Sequence, residues 1–334
     1  MKSILYGGKW RRLSVFLPLI FVVFLGSACG RKLEKAYSFE QAEQRMNAQS
    51  GSGEGVRAKP FANSLAVMGN TDFNAEELSS PAFLLADYST KEKPEPLAYR
   101  NPYARTYQAS ITKVMTALVC LETVQDLNQE FTVTQRSMIR DEGSSSALLK
   151  VGDRLRIEDL LYGMLLPSGN DAAVAVAEAS AGSVEAFVKK MNETALRLGL
   201  TGTHFVNPNG LPSDEHYTTA YDIYLLLAEA MKYEEFRKIV GSTSYTVNYR
   251  DKNNVPKTQI WKGSNQFMTG ERETPEDLKV LGGKTGTTKK AGYCLTMDTE
   301  RISTKKEYIS VVMKDDSKDE LYSDMTKLLK RIPA

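Results

Sequence analysis

Apolar and polar positions divide this chain into a leader, a polar spacer and a long globular stretch. Leu13 to Leu25 is an apolar run of about 13 residues, shorter than a comfortable membrane span. Basic Lys2, Lys9, Arg11 and Arg12 precede it and small Gly26-Ser27-Ala28 follow, the pattern of a secretory signal. Residues 30 to about 60 are polar, ending in Ser50-Gly51-Ser52-Gly53-Glu54-Gly55, and read as a spacer with little fixed structure. Ser64–Met68 and Pro81–Ala86 are short apolar runs that suit strands, with a loop over Asn70–Ser80. After an irregular segment, Asn101–Tyr107, the run Val114–Val119 carries no Gly or Pro and predicts a helix.

Phe131–Thr134 and Gly143–Ser146 are short segments between this helix and the next. Ile157–Leu166 has helical spacing and stops at Pro167. Asp171–Ala181 and Ser183–Leu198 are further helices, the second ended by Gly199. Thr219-Ala220-Tyr221-Asp222 reads as a capping box opening a helix to about Lys232. Past these, Ser244–Tyr249 alternates like a strand, and Asp251–Pro256 gives a turn. Leu278–Thr285, Gly292–Met297 and Tyr308–Met313 predict three more strands, and Asp319–Arg331 a closing helix. No internal repeat is visible. Strands at both ends with helices between predict an α/β (α+β) fold. One antiparallel sheet, made from the N- and C-terminal segments, is flanked by helices, and the middle forms an inserted, mostly helical subdomain. The expected boundaries are 1–28 signal peptide, 29–60 tether and 61–334 catalytic domain. Within that domain, 61–125 and 270–334 form the α/β part and 126–269 the mainly helical part.

Composition narrows the possibilities. The chain has 334 residues, 42% hydrophobic, enough for one large domain or two small ones. With 43 basic and 41 acidic residues and no basic block, a nucleic-acid partner has no support. Three cysteines exclude a disulfide-rich scaffold. Cys120 and Cys294 sit among apolar residues and read as small buried side chains, with a bond between them left open. No Cys/His cluster points to a metal, and no cofactor is implied.

Chemistry enters at Gln108-Ala109-Ser110-Ile111-Thr112-Lys113. On a helix, Ser110 and Lys113 share a face one turn apart. Burial would disfavour the ammonium and lower the lysine pKa, letting a neutral Lys113 take the Ser110 proton. Roughly one S-x-x-K is expected by chance in a chain this long, so the pair needs partners. Two follow in order: Ser168-Gly169-Asn170 after Pro167, and Lys284-Thr285-Gly286 on a predicted strand. Together these three motifs resemble the S-x-x-K, S-D-N and K-T-G signature of penicillin-binding proteins and class A β-lactamases, with Gly169 in the middle of the second.

The resemblance is wider than the motifs. Gln108–Ala117, Asp159–Ala173, His204–Leu211, His216–Asp222 and Gly283–Leu295 resemble stretches of serine-type D-alanyl-D-alanine carboxypeptidases, the low-molecular-weight penicillin-binding proteins. The likeness runs from about Asn63 to Leu329. It implies a β-lactamase/transpeptidase-like fold and hydrolysis of the terminal D-Ala from peptidoglycan stem peptides through a Ser110 acyl-enzyme. In that scheme Lys113 is the base, and Ser168 relays a proton to the leaving amine. Asn170 bonds the lysine and the substrate peptide. Lys284 supplies positive charge that favours a neutral Lys113 and attracts the substrate carboxylate. Thr285 binds that carboxylate, Gly286 leaves room for the substrate backbone, and the N–H groups of Ser110 and Thr287 form the oxyanion hole. β-Lactams are implied as inhibitors, with a role in cell-wall synthesis and cell shape.

Leu25-Gly26-Ser27-Ala28-Cys29 resembles a bacterial lipoprotein signal, although Leu stands four rather than three residues before the cysteine. The expectation is an exported protein on the outer face of the cytoplasmic membrane, anchored by lipid at Cys29. Ordinary cleavage after Ala28 is the alternative. The lipid would replace the amphipathic C-terminal anchor helix and β-domain of many relatives, which this sequence lacks.

Two departures stand out. Relatives often carry Tyr or His where Thr287 stands. Many also place an Arg after the last strand, where this chain has Lys314 and Lys318. A β-lactamase is the nearest rival, but no E-x-x-x-N follows the second motif, and Glu229, Glu234 and Glu235 lie on a predicted amphipathic helix. A non-catalytic β-lactam- or wall-binding lipoprotein is a rival of another class. A Ser-His-Asp triad is rejected: His204 and His216 lie in turn-rich segments and are expected to fix loops, and Asp222 to cap a helix.

Overall fold

The structure is a computed structural model and describes residues 77–89, 94–139 and 144–334. The signal, the tether, Cys29 and the predicted strand Ser64–Met68 lie outside the described residues. In chain order the elements are β1 (Ala82–Asp87), β2 (Glu95–Arg100), α1 (Thr112–Thr123), β3 (Glu130–Thr132), β4 (Arg154–Arg156), α2 (Ile157–Leu165) and α3 (Asn170–Ala181). They continue with α4 (Val184–Leu198), α5 (Ala220–Ala230), α6 (Glu234–Val240), β5 (Ser244–Arg250) and β6 (Pro256–Lys262). The last are α7 (Gln266–Thr269), β7 (Leu278–Thr288), β8 (Gly292–Arg301), β9 (Glu307–Asp315) and α8 (Lys318–Leu329).

The terminal segments build one five-stranded sheet in the order β2-β1-β9-β8-β7, every pair antiparallel. Its central strands are buried on both faces. Leu84 and Ala86 of β1 join the main core with α1 and α5, while Phe83 and Leu85 join a second core beneath α8. Ile309, Val311 and Met313 of β9 face the first core, and Tyr308 and Val312 the second. A strand covered on both sides needs apolar residues at successive positions, which explains the continuous rather than alternating runs. The α8 helix is tied to the sheet through buried Asp324, which accepts from the Ser80 N–H (2.8 Å) and Ser79 Oγ (2.9 Å).

The inserted part departs from the expectation of a mainly helical unit, because it carries its own four-stranded sheet, β3-β4-β5-β6. Four strands escaped the sequence pattern: β3 and β4 are only three residues each, too short to show one, and β2 and β6 share another reason. β2 contains Pro96 and β6 begins at Pro256, both are edge strands, and β6 is largely exposed, so neither shows apolar alternation. The helix opened by Thr219 ends at Ala230 rather than near Lys232, and a second one begins at Glu234. Glu229 therefore lies on α5, and Glu234 and Glu235 in the first turn of α6. Only half of the capping box forms. Thr219 accepts from the Asp222 N–H, but the Asp222 carboxylate turns to the Gly202 N–H (2.9 Å) and Thr203 hydroxyl (2.6 Å). Asp222 thus pins the 202–203 turn to α5. Cys120 and Cys294 are buried and unbonded to each other, and burial pushes their thiols up to about 11 and about 12.

β7 runs close to β8. A Cβ on Gly283 would sit 2.2 Å from the Thr296 carbonyl oxygen, closer than any side chain tolerates. Gly283→Ala must therefore push the edge strand β7 away from β8. Overpacking of this kind costs about 1–3 kcal/mol. A lowered urea midpoint with unchanged slope is expected, and an unshifted midpoint would show that the strands yield freely.

Candidate active site

The three motifs converge on one cleft of about 250 Å³, lined by Ser110, Ser168, Thr285, Gly286 and Thr287. Ser110 lies not in α1 itself but in a 3-10 turn, Ala109–Ile111, that runs into it. In a 3-10 turn residues i and i+3 eclipse, so Lys113 falls directly in line with Ser110. Their side chains meet, with Lys113 Nζ 2.8 Å from Ser110 Oγ.

Lys113 is wholly buried, and its Nζ also lies 2.7 Å from Asn170 Oδ1 and 2.7 Å from the Asn209 carbonyl oxygen. Burial, with a smaller push from nearby Lys284, holds its pKa well below the usual lysine range, while Asp171 pulls weakly the other way. A neutral amine has two N–H groups and one lone pair. Asn170 Oδ1 and the Asn209 carbonyl can only accept, so they take both N–H groups. The lone pair then faces Ser110, the one partner with a proton to give.

Lys284 is equally buried. It donates to Ser168 Oγ (3.0 Å) and the Thr285 carbonyl (2.9 Å), and burial pulls its pKa down to about 7. Ser168 follows α2 in a left-handed backbone conformation, φ 62°, costly for a residue with a Cβ. Asn170 opens α3, its N–H donating to the Ser145 carbonyl. β7 presents Thr285, Gly286 and Thr287 beside the Ser110 turn. A Cβ on Gly286 would stand 3.0 Å from the Gln108 oxygen and 3.1 Å from the Ser110 nitrogen, so glycine permits this approach.

Every site residue singled out in the globular sequence is brought together here. Several others were not singled out. Ser145, Ser264, Tyr293 and Tyr322 also line the cleft, and Ser264 Oγ lies 2.7 Å from Thr285 Oγ1. Lys318 lines it as well, whereas Lys314 is not among the lining residues. Asp171 shapes the rim: its carboxylate accepts from Ser146 Oγ and the Ala147 and Leu149 N–H groups. Asn209 acts through its backbone, which no side-chain pattern reports. Neither histidine touches Ser110. His216 bonds Thr112 and Val206, and His204 bonds the Glu215 carbonyl. Among the described residues no group of His, Cys, Asp and Glu is placed to hold a metal ion.

A buried Ser–Lys dyad, a Ser–Lys pair facing it and a strand at its edge define the class of active-site-serine acyl-transferases. Residues 70–317 match the D-alanyl-D-alanine carboxypeptidase family, a serine peptidase family, and the chain belongs to it. It is 34% identical to the D-alanyl-D-alanine carboxypeptidase DacF of Bacillus subtilis over 69% of this chain and 57% of that protein. It is also 34% identical to the D-alanyl-D-alanine carboxypeptidase of Streptomyces sp. strain K15, over 67% of this chain and 78% of that one. The crystal structure of the Streptomyces K15 DD-transpeptidase superposes with a TM-score of 0.70 at 30% identity, covering 76% of this chain and 97% of that one. The chain spans little more than half of the Bacillus relative's length.

The two lysines set opposite limbs of a pH profile. Acylation of Ser110 by a reporter β-lactam should rise as Lys113 loses its proton at its depressed pKa. It should fall above about pH 7, where Lys284 becomes neutral and its attraction for an anionic substrate disappears. The pH dependence of the second-order labelling constant reads both groups in the free protein. A rate still rising at about pH 10, the ordinary lysine range, would show neither is perturbed.

Proposed function

We propose that this chain is a serine D,D-carboxypeptidase of the bacterial cell envelope. It removes the C-terminal D-Ala from peptidoglycan stem peptides. The observation that carries this is the buried Lys113 amine, 2.8 Å from the Ser110 hydroxyl and held by Asn170 and the Asn209 carbonyl. Ser110 Oγ attacks the carbonyl of the penultimate D-Ala as Lys113 takes its proton. Negative charge collects on the carbonyl oxygen, stabilised by the N–H groups of Ser110 and Thr287, an effect of a few kcal/mol. The peptide C–N bond breaks, and the departing D-Ala amine receives a proton through Ser168, which Lys284 orients at 3.0 Å. Asn170 holds both the lysine and the substrate amide. Thr285 and Lys284 draw the terminal carboxylate into the cleft. Water then attacks the acyl-enzyme, Lys113 again serving as base, and Ser110 is restored.

A β-lactam presents its ring amide to the same serine, but the severed nitrogen stays tethered and blocks the approach of water. Among the described residues no Asp or Glu lines the cleft to activate that water, which favours a penicillin-binding protein over a β-lactamase. Family membership points to the envelope as the compartment. The finer reading is attachment to the outer face of the cytoplasmic membrane through a lipid on Cys29. Its support is the sequence Leu25-Gly26-Ser27-Ala28-Cys29 behind the apolar run. Among the described residues no helix is long and apolar enough to cross a membrane.

Purified protein incubated with diacetyl-Lys-D-Ala-D-Ala should release D-Ala steadily, and Ser110→Ala should release none. Retained release in that variant would overturn the mechanism, and rapid nitrocefin turnover by the wild type would favour the β-lactamase. For the anchor, metabolic labelling with a palmitate analogue should tag the wild type but not Cys29→Ser. Equal labelling of both would remove the lipid proposal.

A further inference from the structure

Of the segments His204–Leu211 and His216–Asp222 only the Asn209 carbonyl enters the chemistry above, yet they grip the nucleophile's turn and the start of α1 at four points. The Asn209 carbonyl takes an N–H of Lys113, and the Pro208 carbonyl accepts from Thr116 Oγ1 at 2.6 Å. Gly210, at φ 90°, lies so close that a Cβ there would sit 1.9 Å from the Ala109 oxygen. The fourth point is a directed chain of hydrogen bonds. The Val206 N–H donates to His216 Nδ1 (3.0 Å), so the neutral ring carries its proton on Nε2. Nε2 lies 2.8 Å from Thr112 Oγ1, and the Thr112 hydroxyl donates to the Ala109 carbonyl at 2.8 Å. Thr112 and His216 are both buried.

The end of this chain falls at a strained peptide. Ala109 has φ 48°, a left-handed conformation that disfavours any residue with a Cβ. Its carbonyl belongs to the same peptide unit as the Ser110 N–H. That unit is planar and trans, so its C=O and N–H point in opposite directions. Fixing the oxygen on one side fixes the hydrogen on the other, the hydrogen assigned above to the oxyanion hole. It also sets where Ser110 begins and hence where Oγ points.

We propose that Thr112 and His216 are positioning residues: through the Ala109 carbonyl they hold the Ser110 peptide plane at the angle that serves the transition state. This rests on the reading of Ser110 as the acylated nucleophile. His216 is then more than a loop-fixing residue, because its loss should reach the rate through Thr112.

The test compares wild type, Thr112→Val, Thr112→Ser, His216→Asn and the double variant Thr112→Val/His216→Asn. Each is titrated with a fluorescent penicillin for its acylatable fraction, then timed for acylation per active site. Thr112→Val keeps the shape but loses the hydroxyl, and should acylate about tenfold to a hundredfold more slowly, as for a slightly misplaced reacting group. D-Ala release should show the loss in kcat with KM little changed. Thr112→Ser, which keeps the hydroxyl, should recover most of the rate. His216→Asn can still meet the Val206 N–H but falls short of Thr112, so it should also be slow. Because both residues act through one chain, the double variant should be no slower than the slower single variant. Variants that lose only acylatable fraction or melting temperature, with an unchanged rate per active site, would overturn the proposal, as would additive losses in the double variant. If the wild type itself takes up no penicillin, the reading of the site fails and takes this proposal with it.

Discussion

Two lysine side chains buried side by side are the constraint on which the rest of this molecule turns. Lys113 and Lys284 are 0% and 1% exposed, and neither forms an ion pair with any described residue. Removing an ammonium from water costs several kcal/mol, and a second nearby cation adds repulsion. The structure relieves this by lowering both pKa values and by giving each amine oxygen partners, three for Lys113 and two for Lys284. The result is an amine that gives up its proton more readily than a solvent-exposed lysine.

Holding those amines requires backbone that is itself under strain. Ala109, which precedes the serine at Lys113, and Ser168, the serine at Lys284, both have positive φ, 48° and 62°. Such conformations cost about 1–3 kcal/mol each and persist only where the surroundings over-determine them. Here the surroundings are stiff. The Ser110 turn is wedged between β7 at Gly286 and the 206–210 segment at Gly210, and Ser168 is fixed between α2 and α3. The sheet behind them is buried on both faces and cannot bend to relax the strain. The cost in local stability is offset by an extensive core elsewhere.

The cleft also shows how a family scaffold accommodates departures. Where many relatives have an arginine, this chain offers Lys318 at the cleft wall and a Ser264–Thr285 hydroxyl pair beside it. A lysine is a point charge on a flexible stem and lacks the paired donors of a guanidinium. In the proposed reaction, recognition of the carboxylate would lean more on the hydroxyls.

How much was legible beforehand depended on whether a feature is local. The sequence by itself determined the central strands, since a strand buried on both faces must be apolar throughout, and the helices, whose apolar spacing, Gly199 stop and Thr219 cap are nearest-neighbour effects. It singled out Ser110, Lys113, Ser168, Asn170 and Lys284 as the candidate site, because three short motifs in fixed order are improbable by chance. Tertiary structure alone decided the edge strands β2 and β6, which exist by pairing with a neighbour rather than by pattern. It also decided the redirection of Asp222 to Gly202 and Thr203, the backbone partner at Asn209 and the link from His216 to Ala109. Those contacts join residues up to 104 positions apart or use main-chain atoms common to every residue, so no one-dimensional pattern encodes them.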